Sequence, residues 1–79
     1  MLKAYVLLET LPGSSPDVLS KLRKFKEMRE VHRVSGPYDL IAVTEALDMQ
    51  ALSSVLEHQV QNVPGVRKTI TCLVVPSAQ

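Results

Sequence analysis

A glycine–proline turn near the middle of the chain constrains its fold more than any other feature. The segment from Val34 to Val43 reads V-S-G-P-Y-D-L-I-A-V, so apolar residues lie on both sides of the Gly-Pro pair. Two apolar runs joined by such a turn predict a β-hairpin whose tip carries Tyr38 and Asp39.

The hairpin tip offers groups that can bind a small zwitterion. The Asp39 carboxylate can accept a hydrogen bond from an ammonium group, and backbone N–H groups near Gly36 can donate to a carboxylate. A simpler interpretation is that the Gly-Pro pair only reverses the chain and that Asp39 is solvated. The turn taken alone favours the simpler interpretation, so the rest of the chain has to decide between the two.

The size and composition of the chain predict one small folded domain. A domain of 79 residues buries only about 60% of the surface of its unfolded chain, so oligomerisation often stabilises it. Hydrophobic residues make up 46% of the sequence, with no Trp, one Phe and two Tyr, which indicates a largely aliphatic core. We expect residues 1–76 to form the domain and residues 77–79 to be a frayed tail.

Charge and cysteine content limit the partners and the location. The net charge of +1 does not predict a nucleic-acid-binding surface. The single cysteine, Cys72, cannot form an intramolecular disulfide and fits a reducing cytoplasm. No apolar run approaches the roughly 18 residues of a membrane-spanning helix. We therefore expect a cytoplasmic protein without direct contact with nucleic acid or membrane.

Hydrophobic periodicity predicts four strands and two helices. Ser15, followed by Pro16, is the predicted N-cap of the first helix, and Asp48 is that of the second. The basic residues of the run 21–29 are interrupted by apolar residues at helical spacing, so they are expected on the outer face of the first helix. The predicted elements are strand 2–9, a helix from 16 to about 29, strand 31–35, strand 40–46, helix 49–61 and strand 66–75.

The resulting order, β-α-β-β-α-β, predicts an α+β fold of the ferredoxin-like type. Right-handed crossovers then give a four-stranded antiparallel sheet with both helices on one face. No predicted strand is polar at every second position, so the helix-free face is expected to be apolar. Such a face usually contacts a partner, and a face-to-face homodimer is the simplest arrangement.

The sequence contains no convincing catalytic or metal-binding set. His32 and His58 lack the spacing of paired metal ligands, and Cys72 has no neighbouring base and is expected to pack as a small hydrophobe. The glycines are isolated, so no phosphate-binding loop is present. We predict no metal, no cofactor and no enzymatic activity. Thr69 and Thr71 share one face of the last strand, where their hydroxyls could lie in the apolar dimer region, although the β-propensity of threonine taken alone is the better explanation of both residues.

The stretch 31–75 resembles the effector-binding domain of the Lrp/AsnC family of transcription regulators, also called RAM. The resemblance lies in V-x-x-V-x-G-x-Y-D-L-I-A-V, the Asp-capped helix and V-P-G-V-x-x-T-x-T-x-L-V-V. It implies a ferredoxin-like domain that dimerises sheet to sheet, with dimers assembling into octamers or similar rings. It further implies an amino acid or similar small effector bound where dimers meet. The matching pocket residues are Gly36, Tyr38 and Asp39, with Thr69 and Thr71 close by.

Two departures from the family pattern change the expected function. Full-length members carry an N-terminal helix-turn-helix domain, whereas this sequence begins at Met1 directly in the first strand. The resemblance is therefore to a stand-alone effector domain that acts through a partner, such as a full-length Lrp/AsnC regulator, and the alternative is a fragment of a longer regulator. The second departure is Pro37, which removes one N–H donor from the turn and stiffens it.

Two other functions compete with an effector-binding module. Small dimeric α+β-barrel enzymes, of the monooxygenase or isomerase kind, share this topology but need a polar or aromatic cavity between sheet and helices. The apolar residues at helical spacing are aliphatic apart from Phe25. Together these side chains would fill such a cavity rather than line it. A ligand-free oligomerisation unit is the other alternative.

Overall fold

Four strands form one antiparallel sheet, and two helices pack on one of its faces. A computed structural model describes residues 1–76, so the predicted tail at 77–79 lies outside the described residues. The predicted β-α-β-β-α-β order is confirmed, with the strands arranged spatially as β2-β3-β1-β4. The elements are β1 Leu2–Thr10, α1 Ser15–Leu22, β2 Met28–Arg33, β3 Leu40–Ala46, α2 Met49–Val55, which continues as a π-helical turn Leu56–Val60, and β4 Val66–Leu73.

The core lies between the two central strands and the helices. Every second side chain of β1 and β3 is buried against the helices, as the period of two in a strand requires, and Val43 of β3 is buried on the opposite face as well. Thr44 is the polar exception on β3, and its hydroxyl donates a 2.7 Å hydrogen bond to the backbone carbonyl of Glu27. This hydrogen bond satisfies the buried Thr44 hydroxyl, which would destabilise the folded state if it had no partner. The apolar core residues include Val6, Leu8, Val18, Leu22, Leu40, Ala42, Val55 and Val60.

The first helix ends earlier than the sequence predicts. It stops at Leu22, and β2 begins at Met28 rather than at residue 31. The Arg23 guanidinium donates to the Val31 carbonyl, with Nη2 at 2.8 Å and Nε at 3.3 Å. Lys24 and most of the predicted basic helix face lie in the turn between α1 and β2 instead.

The two helix N-termini differ in how well local sequence predicts them. Asp48 is the N-cap of α2 as predicted, and its Oδ1 accepts a 2.9 Å hydrogen bond from the backbone N–H of Ala51. The predicted cap at Ser15 is wrong, since the cap residue of α1 is Ser14 and makes no side-chain capping bond. The Ser15 hydroxyl is instead hydrogen-bonded to Thr10.

The helix-free face of the sheet has an apolar centre. Tyr5 lies opposite Val43 on one side and Cys72 on the other, and Leu7 lies opposite Ile41 and Ile70. Tyr5 is 41% exposed and Ile70 36%, so this surface is accessible to a partner. The predicted sheet-to-sheet homodimer remains a prediction.

The turn after α2 packs closely against the start of α1. The Leu11 N–H donates a 2.9 Å hydrogen bond to the Gly65 carbonyl. A Cβ atom at Gly65 would lie 2.8 Å from the Cβ of Ser14 and 3.1 Å from Cγ2 of Val18. Gly65 also has a positive φ of 97°, so both space and backbone angle require glycine there.

We expect Gly65→Ala to lower the free energy of unfolding by about 1–3 kcal/mol more than Gly13→Ala does. Gly13 is the matched control, because its φ of 80° is also positive but nothing lies within 4 Å of an added Cβ. The difference therefore isolates the contact with α1. Urea unfolding of both variants at one protein concentration measures it. Equal losses of unfolding free energy in the two variants would show that the positive φ alone accounts for the glycine at position 65.

Candidate functional site

The predicted hairpin between β2 and β3 is present. The Val34 N–H donates a 2.9 Å hydrogen bond to the Asp39 carbonyl and closes the loop between them. Gly36 has a φ of 152°, and an added Cβ would meet nothing within 4 Å, so the backbone angle alone favours glycine. Gly36 and Pro37 are exposed, whereas Tyr38 and Asp39 are half-buried.

The Asp39 carboxylate is tied to the end of β1. Its Oδ2 accepts hydrogen bonds from the Thr10 backbone N–H at 2.8 Å and from the Thr10 hydroxyl at 3.2 Å. The Thr10 hydroxyl oxygen lies 2.7 Å from Oγ of Ser15. The Asp39 N–H donates to the Leu8 carbonyl at 2.9 Å. Asp39 therefore connects the start of β3, the end of β1 and the first residue of α1.

One oxygen of Asp39 remains available after these contacts. Oδ1 makes no hydrogen bond within the part of the chain that the structure describes. A carboxylate with one fixed and one free oxygen is well placed to accept a hydrogen bond from a cationic ligand group.

Sequence reasoning missed Thr10 and Ser15 as members of this cluster. Thr10 continues the buried alternation of Ala4, Val6 and Leu8, and it is only 7% exposed. A hydroxyl at a core position needs a hydrogen-bond partner. That break in the apolar pattern was the one available signal, but it does not identify Asp39 as the partner.

The two threonines of β4 lie on the opposite face from the expected one. Thr69 pairs with Leu8, and Thr71 pairs with Val6, so both share the helix-side face of the sheet. The expectation that their hydroxyls lie in the apolar dimer region is wrong. The helices pack mainly over β2 and β3, which leaves Thr69 half-buried and Thr71 exposed at the edge.

The structure brings Thr69 and the turn to the same end of the sheet without direct contact. Leu8 accepts the Asp39 N–H and is the pairing partner of Thr69, so β1 separates the two residues. Asp39 and Thr69 are therefore two strand spacings, or about 10 Å, apart, and Thr71 lies about 7 Å farther along β4. Thr69 also lines a shallow groove of about 220 Å³ with Gln61, Val66, Arg67 and Lys68.

The remaining candidate residues do not form a second chemical centre. His32 and Glu30 form an exposed pair at 3.1 Å, and Cys72 is exposed rather than packed as predicted. Across residues 1–76, no three His, Cys, Asp or Glu side chains converge as metal ligands. Neither helix in this part of the chain has the length and apolar character needed to cross a bilayer.

Curated relatives of the chain are transcription regulators. It is 31% identical over 71 residues to the HTH-type transcriptional regulator FL11 of Pyrococcus abyssi. This match covers 90% of this chain and 46% of that protein. It is 36% identical over 69 residues to the leucine-responsive regulatory protein of Klebsiella pneumoniae, covering 82% of this chain and 42% of that protein. The chain thus spans less than half the length of these relatives.

Solved structures share its fold. TTHA0845 from Thermus thermophilus superposes with a TM-score of 0.93 at 26% identity and covers 100% of this chain and 99% of that one. A feast or famine regulatory protein from M. tuberculosis, complexed with L-methionine, has a TM-score of 0.82 at 21% identity. The match to it covers 100% of this chain and 53% of that one.

A family model gives the assignment directly. Residues 3–78 match the Lrp/AsnC ligand binding domain, which is nearly the whole chain. The family and the curated relatives are regulatory, so the prediction that the chain is not an enzyme is confirmed. The resemblance found in the Gly-x-Tyr-Asp hairpin and the Thr-bearing last strand is confirmed as well, and the chain belongs to the Lrp/AsnC ligand-binding domain family.

Proposed function

We propose that this chain is a cytoplasmic effector-binding module that binds an amino acid or a similar small molecule beside the Gly36–Asp39 turn. Its homodimers assemble into an octamer or similar ring, and its state passes to a partner regulator. The observation that carries the proposal is the Asp39 carboxylate, fixed by Thr10 through one oxygen and free at the other.

The groups around the turn match the functional groups of an amino acid. Oδ1 of Asp39 accepts from the ammonium group, and the charge-assisted bond strengthens if the site excludes water. Backbone N–H groups near Gly36 donate to the carboxylate, while the Tyr38 hydroxyl can donate or accept. Pro37 removes one of these donors, which narrows the range of ligands that fit.

The distance between the turn and β4 favours a site completed by a neighbouring subunit. About 10 Å separates Asp39 from Thr69 across β1, which is too far for both to contact one ammonium group. On the helix side of β4, Thr71 is exposed and Thr69 is half-buried, so both are accessible to a second dimer. A ligand held between two dimers stabilises the higher assembly by mass action.

A partner protein would supply DNA binding. Both helices of residues 1–76 pack on the sheet, so this part of the chain presents no recognition helix. Relatives such as FL11 are longer transcription regulators that share this domain over 46% of their length. Mixed assembly with a full-length Lrp/AsnC regulator would connect the effector to transcription. The free thiol of Cys72 suits the reducing cytoplasm where this would occur.

We expect one or a few amino acids to raise both the assembly mass and the melting temperature of the parent protein. L-methionine belongs in the panel because a structural relative is complexed with it. Light scattering and thermal shift, run with each common amino acid, measure the two effects. A ligand at 100 times its Kd stabilises the folded state by about 2.7 kcal/mol, which thermal shift detects. An unchanged mass and melting temperature across the panel would favour a ligand-free oligomerisation unit.

Asp39→Asn should weaken amino-acid binding about tenfold or more while preserving the fold. The amide oxygen that this substitution introduces remains an acceptor for Thr10, whereas the negative charge that attracts the ammonium group is lost. Asp17→Asn is the matched control, because Asp17 is an exposed carboxylate in the first turn of α1. Calorimetric titration with the amino acid identified in the panel measures both. If the Asp39→Asn variant bound the amino acid with parent-like affinity, Asp39 would not be part of the binding site.

Leu7→Asp should break the sheet-to-sheet dimer. Leu7 lies between Ile41 and Ile70 at the centre of the helix-free face, where a buried carboxylate would have no partner in a dimer. Leu47→Asp is the control, since Leu47 is 76% exposed and lies just beyond the end of β3. Sedimentation velocity should show monomer or aggregate for Leu7→Asp and a parent-like species for the control. A Leu7→Asp variant with parent mass would place the interface elsewhere.

A further inference from the structure

The two edges of the sheet differ in what covers them. In the spatial order β2-β3-β1-β4, β2 forms one edge and β4 the other. An edge strand presents backbone N–H and C=O groups that can pair with another chain, and folded proteins usually block such an edge. Among residues 1–76, the edge at β2 is blocked and the edge at β4 is not.

The edge at β2 is blocked by a side chain of the same chain. The Val34 N–H bonds to the Asp39 carbonyl, so the alternation of an antiparallel pair turns the backbone groups of Val31 outward. The Arg23 guanidinium covers the Val31 carbonyl with its two hydrogen bonds. The register with β3 also shifts at the start of β2, which disturbs the regular row of backbone groups. A further strand therefore cannot pair with β2 along its length.

The edge at β4 is open. The Val74 N–H donates a 2.9 Å hydrogen bond to the Lys3 carbonyl, and the register with β1 then turns the backbone groups of Cys72 and Ile70 toward β1 as well. No strand in the described part of the chain pairs with the other side of β4, and residues 70–75 are exposed. The residues whose N–H and C=O groups face this open side are Thr69, Thr71, Leu73 and, just past the strand, Val75.

The sequence of β4 suits antiparallel pairing with a second copy of itself. Arg67 and Lys68 are followed by an uncharged stretch, 69–75, whose middle residue is Cys72. Parallel pairing in register would place the basic ends of two copies side by side, where like charges repel. Antiparallel pairing centred on Cys72 instead overlays the whole uncharged stretch and places Lys68 opposite Pro76 of the second copy. The outward backbone groups of this stretch then all have partners, in about eight hydrogen bonds.

We propose that β4 binds β4 of a second copy of this chain, antiparallel and centred on Cys72, so that two four-stranded sheets join edge to edge. Thr71 pairs with Leu73 of the second copy, and Thr69 pairs with Val75. The exposed aliphatic side chains of both strands lose part of their contact with water, which favours the contact. The contact rests neither on effector binding nor on the sheet-to-sheet dimer. A chain that uses both contacts builds assemblies larger than a dimer.

The single cysteine of the chain allows a direct test. Residues opposite each other at a non-hydrogen-bonded position have Cα atoms about 4.5 Å apart, within the span of about 4.4–6.8 Å that a disulfide bridges. We expect the thiol oxidant diamide to join two parent chains through Cys72. A non-reducing gel shows the linked dimer, and dithiothreitol should reverse it.

Leu73→Pro tests the backbone contact. Proline removes the outward N–H of Leu73 and none of the hydrogen bonds to β1, and edge positions of this kind tolerate proline. Leu73→Val is the matched control, because it keeps both the N–H and an apolar side chain. Each dimer lacks the hydrogen bond twice, so Leu73→Pro should form the diamide-linked dimer about tenfold more slowly than Leu73→Val. Both variants should keep a melting temperature close to that of the parent.

A second pair of thiols separates the edge contact from a sheet-to-sheet contact. Cys72 lies opposite Tyr5 on the helix-free face, so a sheet-to-sheet dimer could also bring two copies of it together. In a Cys72→Ser background, a Thr71→Cys protein is therefore mixed with a tagged Leu73→Cys protein. Both introduced thiols lie on the helix side of the sheet, where only edge pairing brings them together. A short thiol crosslinker should join the two proteins more efficiently than it joins two Thr71→Cys chains.

Three outcomes would overturn the proposal. The first is a parent protein that diamide does not link. The second is an equal rate of linkage for Leu73→Pro and Leu73→Val, which would show that the edge backbone makes no contact. The third is a Cys72 disulfide without the crosslink on the helix side, which would assign the disulfide to the sheet-to-sheet contact. An amino-acid panel without effect leaves this test unchanged, because no ligand is added.

Discussion

The hydrogen bonds that converge on Oδ2 of Asp39 hold together one end of this domain. Thr10 donates to it through both its backbone N–H and its hydroxyl, and the Thr10 hydroxyl is also bonded to Ser15. Hydrogen bonds to charged groups contribute about 1.5–3 kcal/mol each, which is large beside the roughly 5–15 kcal/mol total stability of a typical domain. The strands β1 and β3 are already paired along their length, so these contacts chiefly fix the turn before β3 and the start of α1 against the end of β1.

The same contacts favour a binding role for Asp39 as well as a structural one. A carboxylate on a free loop loses conformational entropy when it binds a ligand, whereas one already fixed by Thr10 loses little. The simpler interpretation of Asp39 as a solvated turn residue therefore omits its main contacts. Binding at Oδ1 would also stabilise the corner formed by β1, β3 and α1, so ligand occupancy and local stability would be coupled.

Sequence reasoning succeeded where local chemistry determines the structure. The strand 40–46 was predicted with its observed bounds, because the apolar run has a turn on one side and a capping aspartate on the other. The end of α1 was mispredicted, because the contact of Arg23 with the Val31 carbonyl depends on how the helix packs. The prediction of Ser15 as the N-cap failed for a related reason, because local sequence does not reveal that the Ser15 hydroxyl contacts Thr10 in the folded chain.

The face that the two threonines occupy illustrates the same limit. A period of two places Thr69 and Thr71 together, but which side of the sheet they share depends on the register between β1 and β4. That register pairs Thr69 with Leu8 and so brings it to the end of the sheet that carries Asp39. The candidate site residues thus come from the resemblance, whereas their relative positions required the tertiary structure.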